Sequence, residues 1–241
     1  MMEKFFRSRG IRLLRNPDGS IQEQQKIYYE PNGCNIDNRQ LYSWMEEDAL
    51  SLFEYSEVGN KIDTYNFHVR LESNQHKNIY SMLDEQSCAL LDIIPAVFDE
   101  SFQNYTVGYQ VEKGEISRSA YYYYPTIWKD TRYGIKGIED IAIISGEISR
   151  FANYVAANQQ EKNEIIDFGR SMCKLKGISV HFREALSNYK LYGRCNKLEL
   201  QALLLDRMKV DIESYKYGDV VLVAQRIQHG RVMGYNLYFM E

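Results

Sequence analysis

Apolar residues recur with two periods along this chain, and the period sets the element each stretch is expected to form. Ile11 to Leu14 and Ile21 to Tyr29 flank Asn16-Pro17-Asp18-Gly19. This predicts a hairpin, because an Asp-Gly step supplies the positive φ that a tight turn demands. The second strand is expected to end at Pro31. From Gln40 to Phe53, residues Leu41, Trp44, Met45, Ala49, Leu52 and Phe53 stand at helical spacing, which predicts an amphipathic helix. Tyr65, Phe67, Val69 and Leu71 alternate with Asn66, His68, Arg70 and Glu72, the two-residue period of a half-buried strand. A helix bent at Pro95 is expected over Asp84 to Phe98.

Tyr105 to Glu112 and Ile116 to Tyr124 read as a second hairpin around Lys113-Gly114, closed by Pro125. Ile138, Ile141, Ile144, Ile148, Phe151 and Val155 mark a helix. Asn158 with Glu161 is a capping box for the next one, carrying Ile165, Phe168, Met172 and Leu175. After Gly177, Ile178 to Arg183 and Asn188 to Arg194 predict a third hairpin. Asn196 and Glu199 then start a helix ending near Met208, and Asp219 to Ile227 with Arg231 to Met240 form the last hairpin. The expected order is ββ, α, β, α, ββ, αα, ββ, α, ββ, with no linker, so residues 1–241 are read as one domain.

Strands that come in antiparallel pairs do not suit a parallel doubly wound sheet. The fold class expected is α+β: a large antiparallel sheet built of hairpins, closed into a barrel with helices on the outside. A barrel of nine or ten strands would leave a lumen wider than the side-chain-filled interior of an eight-stranded one, and that lumen would be the natural ligand site.

Composition narrows the function classes. The chain of 241 residues is 44% hydrophobic, enough for a packed core, and its formal charge of −4 counts against a nucleic-acid coat. The start is basic but lacks the apolar stretch of a secretory signal, and the most apolar windows, Cys88 to Phe98 and Val220 to Ala224, fall short of the roughly 20 residues of a membrane helix. A soluble, cytoplasmic protein with no membrane partner is expected. Cys34, Cys88, Cys173 and Cys195 are dispersed and read as reduced structural thiols. The histidines form no zinc motif, and no P-loop, dinucleotide fingerprint or nucleophile elbow occurs.

The 20 tyrosines are the unusual count. Alternation puts Lys26 and Tyr28 on one strand face, Lys190, Tyr192 and Arg194 on another, Arg118 with Tyr122 and Tyr124, His68 with Arg70 and Glu72, and Asn236 with Tyr238. If the apolar faces, such as Phe67 and Val69 or Val180 and Phe182, pack on helices, the cationic faces converge or lie together on one broad sheet. Several converging Lys and Arg suit a diphosphate better than a lone carboxylate.

These segments resemble the aromatic prenyltransferases of the ABBA or PT-barrel type, among them the cyanobactin peptide prenyltransferases. Barrel strands of that family carry K-x-Y-F-like patterns ending near Pro. Lys26-Ile27-Tyr28-Tyr29-Glu30-Pro31 matches this, as do in part Lys190-Leu191-Tyr192 and the Tyr121 to Pro125 run. The ααββ rhythm matches from Phe151 to Met240, and more loosely upstream to residue 20. The resemblance implies transfer of an isoprenyl group from an allylic diphosphate to an aromatic or peptide acceptor. It implies that Lys26, Arg70, Arg118, Lys190 and Arg226 hold the diphosphate and that Tyr28, Tyr122, Tyr192 and Tyr238 shield the allyl cation. Glu72 would be the acceptor-side base, a surface salt bridge being the other reading of the same residue. Mg²⁺ serves some branches of that family and not others, and the sequence does not decide. A non-catalytic small-molecule or lipid-binding barrel, a single-stranded nucleic-acid platform and a protein-interaction domain remain open as alternatives.

Overall fold

Asn16-Pro17-Asp18-Gly19 turns the chain between β1 (Phe6–Arg15) and β2 (Ile21–Tyr29), as the pattern predicts, with a different turn chemistry. Pro17 fixes its own φ near about −65°, and Gly19 N donates to Asn16 O at 2.9 Å. Asp18 Oδ1 accepts from Ser20 N at 2.9 Å and Ser20 Oγ at 2.6 Å. Within the turn only Gly19 takes positive φ, +83°, so Asp18 closes the turn with its carboxylate instead of its backbone.

The computed structural model describes residues 6–29, 50–58, 61–71, 102–112, 115–125, 137–181, 188–215 and 220–239. Strands β7 (Met172–His181), β8 (Asn188–Cys195), β9 (Val220–Gln228) and β10 (Arg231–Phe239) join β1 and β2 in a six-stranded antiparallel sheet ordered β2-β1-β10-β9-β8-β7. Between β2 and β7 run β3 (Leu50–Val58), β4 (Lys61–Leu71), β5 (Phe102–Glu112) and β6 (Glu115–Pro125). Each pairs antiparallel with its neighbours in sequence, so the pairing runs on from β2 through these four strands to β7.

Three α-helices are present among the described residues: α1 (Ile141–Val155), α2 (Gln159–Ser171) and α3 (Lys197–Met208). Each starts on a side-chain cap. Asp140 Oδ1 accepts from Ala142 N at 2.9 Å, Asn158 Oδ1 from Glu161 N at 3.0 Å and Asn196 Oδ1 from Leu198 N at 3.1 Å, satisfying amides that have no partner inside the helix. Glu161 Oε2 reaches back to Ala157 N at 3.0 Å, which makes the α2 cap a reciprocal box.

The helices cover one face of the six-stranded sheet. Phe151 of α1 meets the ring of Tyr189 edge-on, with centroids 5.9 Å apart, and Phe168 of α2 meets Tyr235 at 5.6 Å. Gln225 Nε2 donates to Glu164 O and to Tyr235 Oη, both at 3.3 Å. Arg15 ties β1 to two helices, donating to Glu164 Oε2 at 3.4 Å and to Arg207 O at 3.4 Å, while Arg207 pairs with Asp167 at 2.6 Å. Ile11, Leu13, Leu191, Val223, Ile227 and Leu237 are buried on the same side, and each such side chain contributes about 1.5–3 kcal/mol of transfer free energy.

Gly234 lets β1 and β10 close up. Its φ is +149°, and a Cβ there would lie 1.9 Å from Leu13 O, so a side chain would collide with backbone at the irregularity between Val232 and Gly234.

Two expected helices differ. Leu50, Leu52 and Phe53, read as the end of a helix from Gln40, lie in β3, where Phe53 stands opposite Phe67 and Tyr55 opposite Tyr65. The β-favouring Phe53, Tyr55 and Val58 pair with Phe67, Tyr65 and Lys61 of β4, Tyr55 also with Tyr29 of β2, and that pairing overrides the helical spacing. The sheet therefore has ten strands where nine were expected. Met172 and Leu175, read as the last turns of α2, belong to β7. Met172 is the C-cap in extended conformation, and Leu175 exchanges backbone hydrogen bonds with Ile138, both at 2.9 Å. The rest of the Gln40 to Phe53 segment up to Ala49 and the helix expected over Asp84 to Phe98 lie outside the described residues.

Candidate functional site

The side chains that meet the helices, Arg15, Tyr189, Gln225 and Tyr235, are odd-numbered residues of β1, β8, β9 and β10. The alternation of a strand therefore turns the even-numbered residues to the opposite face. That face holds Arg12, Lys190, Tyr192, Arg226, Asn236 and Tyr238, joined through Gly10 by Lys26 of β2.

Cross-strand pairing arranges these residues in rows, because partners in a ladder share a face. The first row runs Gly234, Arg226, Lys190, Ser179, Tyr122, Thr106 and Arg70 across β10, β9, β8, β7, β6, β5 and β4. Lys190 and Arg226 are thus direct neighbours, and Arg70 and Tyr122 occupy the same row of the ladder. A second row runs Gln24, Arg12, Asn236, Ala224, Tyr192 and Gly177. The third contains Lys26, Gly10, Tyr238 and Leu222. Tyr28, two residues beyond Lys26, stands opposite Ser8 and Ser56.

Arg118 is not brought to this set. A β-bulge between Gly108 and Tyr109 pairs Arg118 with Tyr109, whose row continues to Phe67. The extra residue thus breaks the simple alternation that aligned Arg118 with Tyr122. Glu72 lies outside the described residues.

Burial separates this face from an ordinary solvated one. Lys26 is 4% exposed and Asn236 3% exposed, although the helices pack on the other side of the sheet. Small residues alternate with large ones along the rows: Gly10 lies between Lys26 and Tyr238, and Ala224 between Asn236 and Tyr192. Arg12 Nη1 donates to Gln24 Oε1 at 3.1 Å, and Asn236 Nδ2 to Tyr238 Oη at 3.4 Å.

A second cationic group continues the Lys190, Tyr192, Arg194 line at the end of β8. Lys174 stands opposite Arg194, and Lys176 sits in the irregularity between Leu175 and Gly177. Burial pushes the Lys176 ammonium down to about 8, and the charges of Lys174 and Arg194 add to that. Glu139 and Cys173 oppose it. Glu139 is also the salt-bridge partner of Lys174.

Three of the residues on this face were not singled out from sequence. Arg12 interrupts the apolar run Ile11-Arg12-Leu13, and its alternation with two core residues was the available signal. Gln24 follows from Arg12 by pairing alone. Glu54 stands opposite Asn66, two residues from Ser56, on the face of Tyr28. Its strand was hidden by the helical spacing of the preceding residues.

Among the described residues no group of three or more His, Cys, Asp or Glu side chains could hold a metal ion. The charged groups of this face on β2, β8 and β9, namely Lys26, Lys190 and Arg226, suit an anion and not Mg²⁺. Nor is any described helix long and apolar enough to cross a membrane. No protein-family model matches the chain, and no curated protein matches it.

Proposed function

We propose that the chain is a prenyltransferase whose helix-averted strand face, turned into the barrel, binds an isoprenyl diphosphate and an aromatic or peptide acceptor. The observation that carries this reading is the directly paired Lys190 and Arg226, sharing one face with Tyr192, Tyr238 and the buried Lys26. Two adjacent cations can stabilise the charge that grows on a departing diphosphate. Tyrosine rings, with electron-rich faces and no strong nucleophile at neutral pH, suit the flanks of an allylic cation.

In the reaction the C1–O bond of the prenyl diphosphate breaks, and the electron pair leaves with the diphosphate toward Lys26, Arg70, Lys190 and Arg226. The acceptor's π or lone pair forms the new bond to the prenyl carbon. The acceptor then loses a proton to a base, for which Glu54, at a register position of this face on β3, is one candidate and Glu72, expected from sequence, the other. No step is routed through Mg²⁺.

The test is incubation with dimethylallyl, geranyl and farnesyl diphosphates against a panel of aromatic small molecules and Tyr- or Trp-containing peptides, read by mass spectrometry. The expected result is an isoprenyl mass addition to at least one acceptor, lost in Lys190→Ala. Diphosphate binding without any transfer would leave the non-catalytic binding barrel as the function.

A further inference from the structure

Arg12 and Asn236 face each other directly across β1 and β10, and each leaves one buried polar atom without a hydrogen bond, Arg12 Nε and Asn236 Oδ1. Arg12 Nη1 donates to Gln24 Oε1, and Asn236 Nδ2 donates to Tyr238 Oη. A buried polar atom left without a hydrogen bond is destabilising, so two on paired residues are a standing cost that a ligand could remove. Asn236 is 3% exposed. Its ladder neighbour on the far side is Ala224, and Gly10 lies two residues from Arg12 on β1, so small residues border the pair on β9 and β1. Tyr192 and Tyr238 flank it along and across the strands.

The vacant groups are one N–H donor and one carbonyl acceptor on adjacent strands. A carboxylate would be repelled by Asn236 Oδ1, and an ether or ketone would leave that oxygen unpaired. The matching ligand edge is neutral and carries an acceptor beside a donor, as a primary carboxamide or a lactam does.

We propose that Arg12 and Asn236 form a recognition site for a carboxamide or lactam edge, with Arg12 Nε donating to the ligand's C=O and Asn236 Oδ1 accepting from its N–H. Tyr192 and Tyr238 supply aromatic surface for an adjoining ring. The inference rests on the proposed function only in taking this face as a ligand site, and it assigns the pair to the acceptor, not to the diphosphate.

The experiment uses benzamide and N,N-dimethylbenzamide, which keeps the carbonyl and lacks the donor. Both are titrated into the full chain by ligand-observed NMR, with and without geranyl thiolodiphosphate. Benzamide is expected to bind at least tenfold more tightly than its dimethyl analogue; Asn236→Ala should bring the ratio close to one, and Arg12→Ala should weaken both ligands at least tenfold, because both keep the carbonyl. If Asn236→Ala does not fold, the ratio in the unmodified chain together with the loss of both ligands in Arg12→Ala, at a less buried position, decides. Failure of benzamide to bind, a ratio within twofold in the unmodified chain, a ratio unaffected by Asn236→Ala in a folded variant, or affinities unaffected by Arg12→Ala would overturn the proposal. The thiolodiphosphate is scored separately: its failure to bind defeats the prenyl-transfer reading while leaving the benzamide ratio to be judged by itself.

Discussion

At the scale of single residues, the cationic group on β7 and β8 makes a pH-dependent prediction. The Lys176 ammonium is lowered from 10.5 to about 8, first by burial and then by Lys174 and Arg194. The sign follows from proton counting. Below the folded value both states hold the proton and the native state bears the cost of a buried charge. Between about 8 and 10.5 the unfolded chain holds more protons than the native one, so this group's contribution to stability rises with pH. Lys176→Met should therefore be more stable than the unmodified chain near pH 7, with the difference narrowing by about pH 10 in urea unfolding. A difference that stays constant with pH would show that the charge is not the cause. Residue identity on the cationic face was legible in part. Lys26, Lys190, Tyr192 and Tyr238 followed from alternation, which needs only the strand. The vacancy at Arg12 and Asn236 did not, because it depends on which side chain meets which across a ladder, and single-strand alternation carries no pairing information.

At the scale of elements, local signals succeeded where the chain itself supplies the partners. Asn158 caps α2 through a bond to Glu161 N, and Glu161 returns one to Ala157 N, both within four residues of sequence. Asn158→Ala should cost about 1 kcal/mol, seen as a lower urea midpoint with an unchanged slope. A loss below a few tenths would mean that Glu161 holds the helix start without Asn158. Reading failed where a distant partner decides. Leu52 and Phe53 fit a helix stripe by spacing, yet they stand opposite His68 and Phe67 of β4, and the ladder takes them. Arg118 shows the same limit within a correctly read strand. One bulge between Gly108 and Tyr109 shifts it relative to Tyr122, and nothing local in Arg118-Ser119-Ala120 announces a bulge.

At the scale of the whole molecule, the pairing order gives the tyrosines and cations their meaning. The antiparallel hairpins were visible as repeated turn signals, and so was the alternation of core and polar positions along each. Only the ladder shows that Arg70, Tyr122, Lys190 and Arg226 occupy one row across β4, β6, β8 and β9. They are separated in sequence by up to 156 positions, 226 minus 70. Helices cover one face of the six-stranded sheet, and burial of Lys26 on the other is what a solvated surface would not produce. The central claim is that this face binds an isoprenyl diphosphate through Lys190 and Arg226. It is tested most directly by calorimetric titration of geranyl thiolodiphosphate into the unmodified chain and into Lys190→Ala and Arg226→Ala. Saturable binding that weakens at least tenfold in each variant, with both variants still folded by circular dichroism, is the expected result. Equal affinity in all three proteins would contradict it.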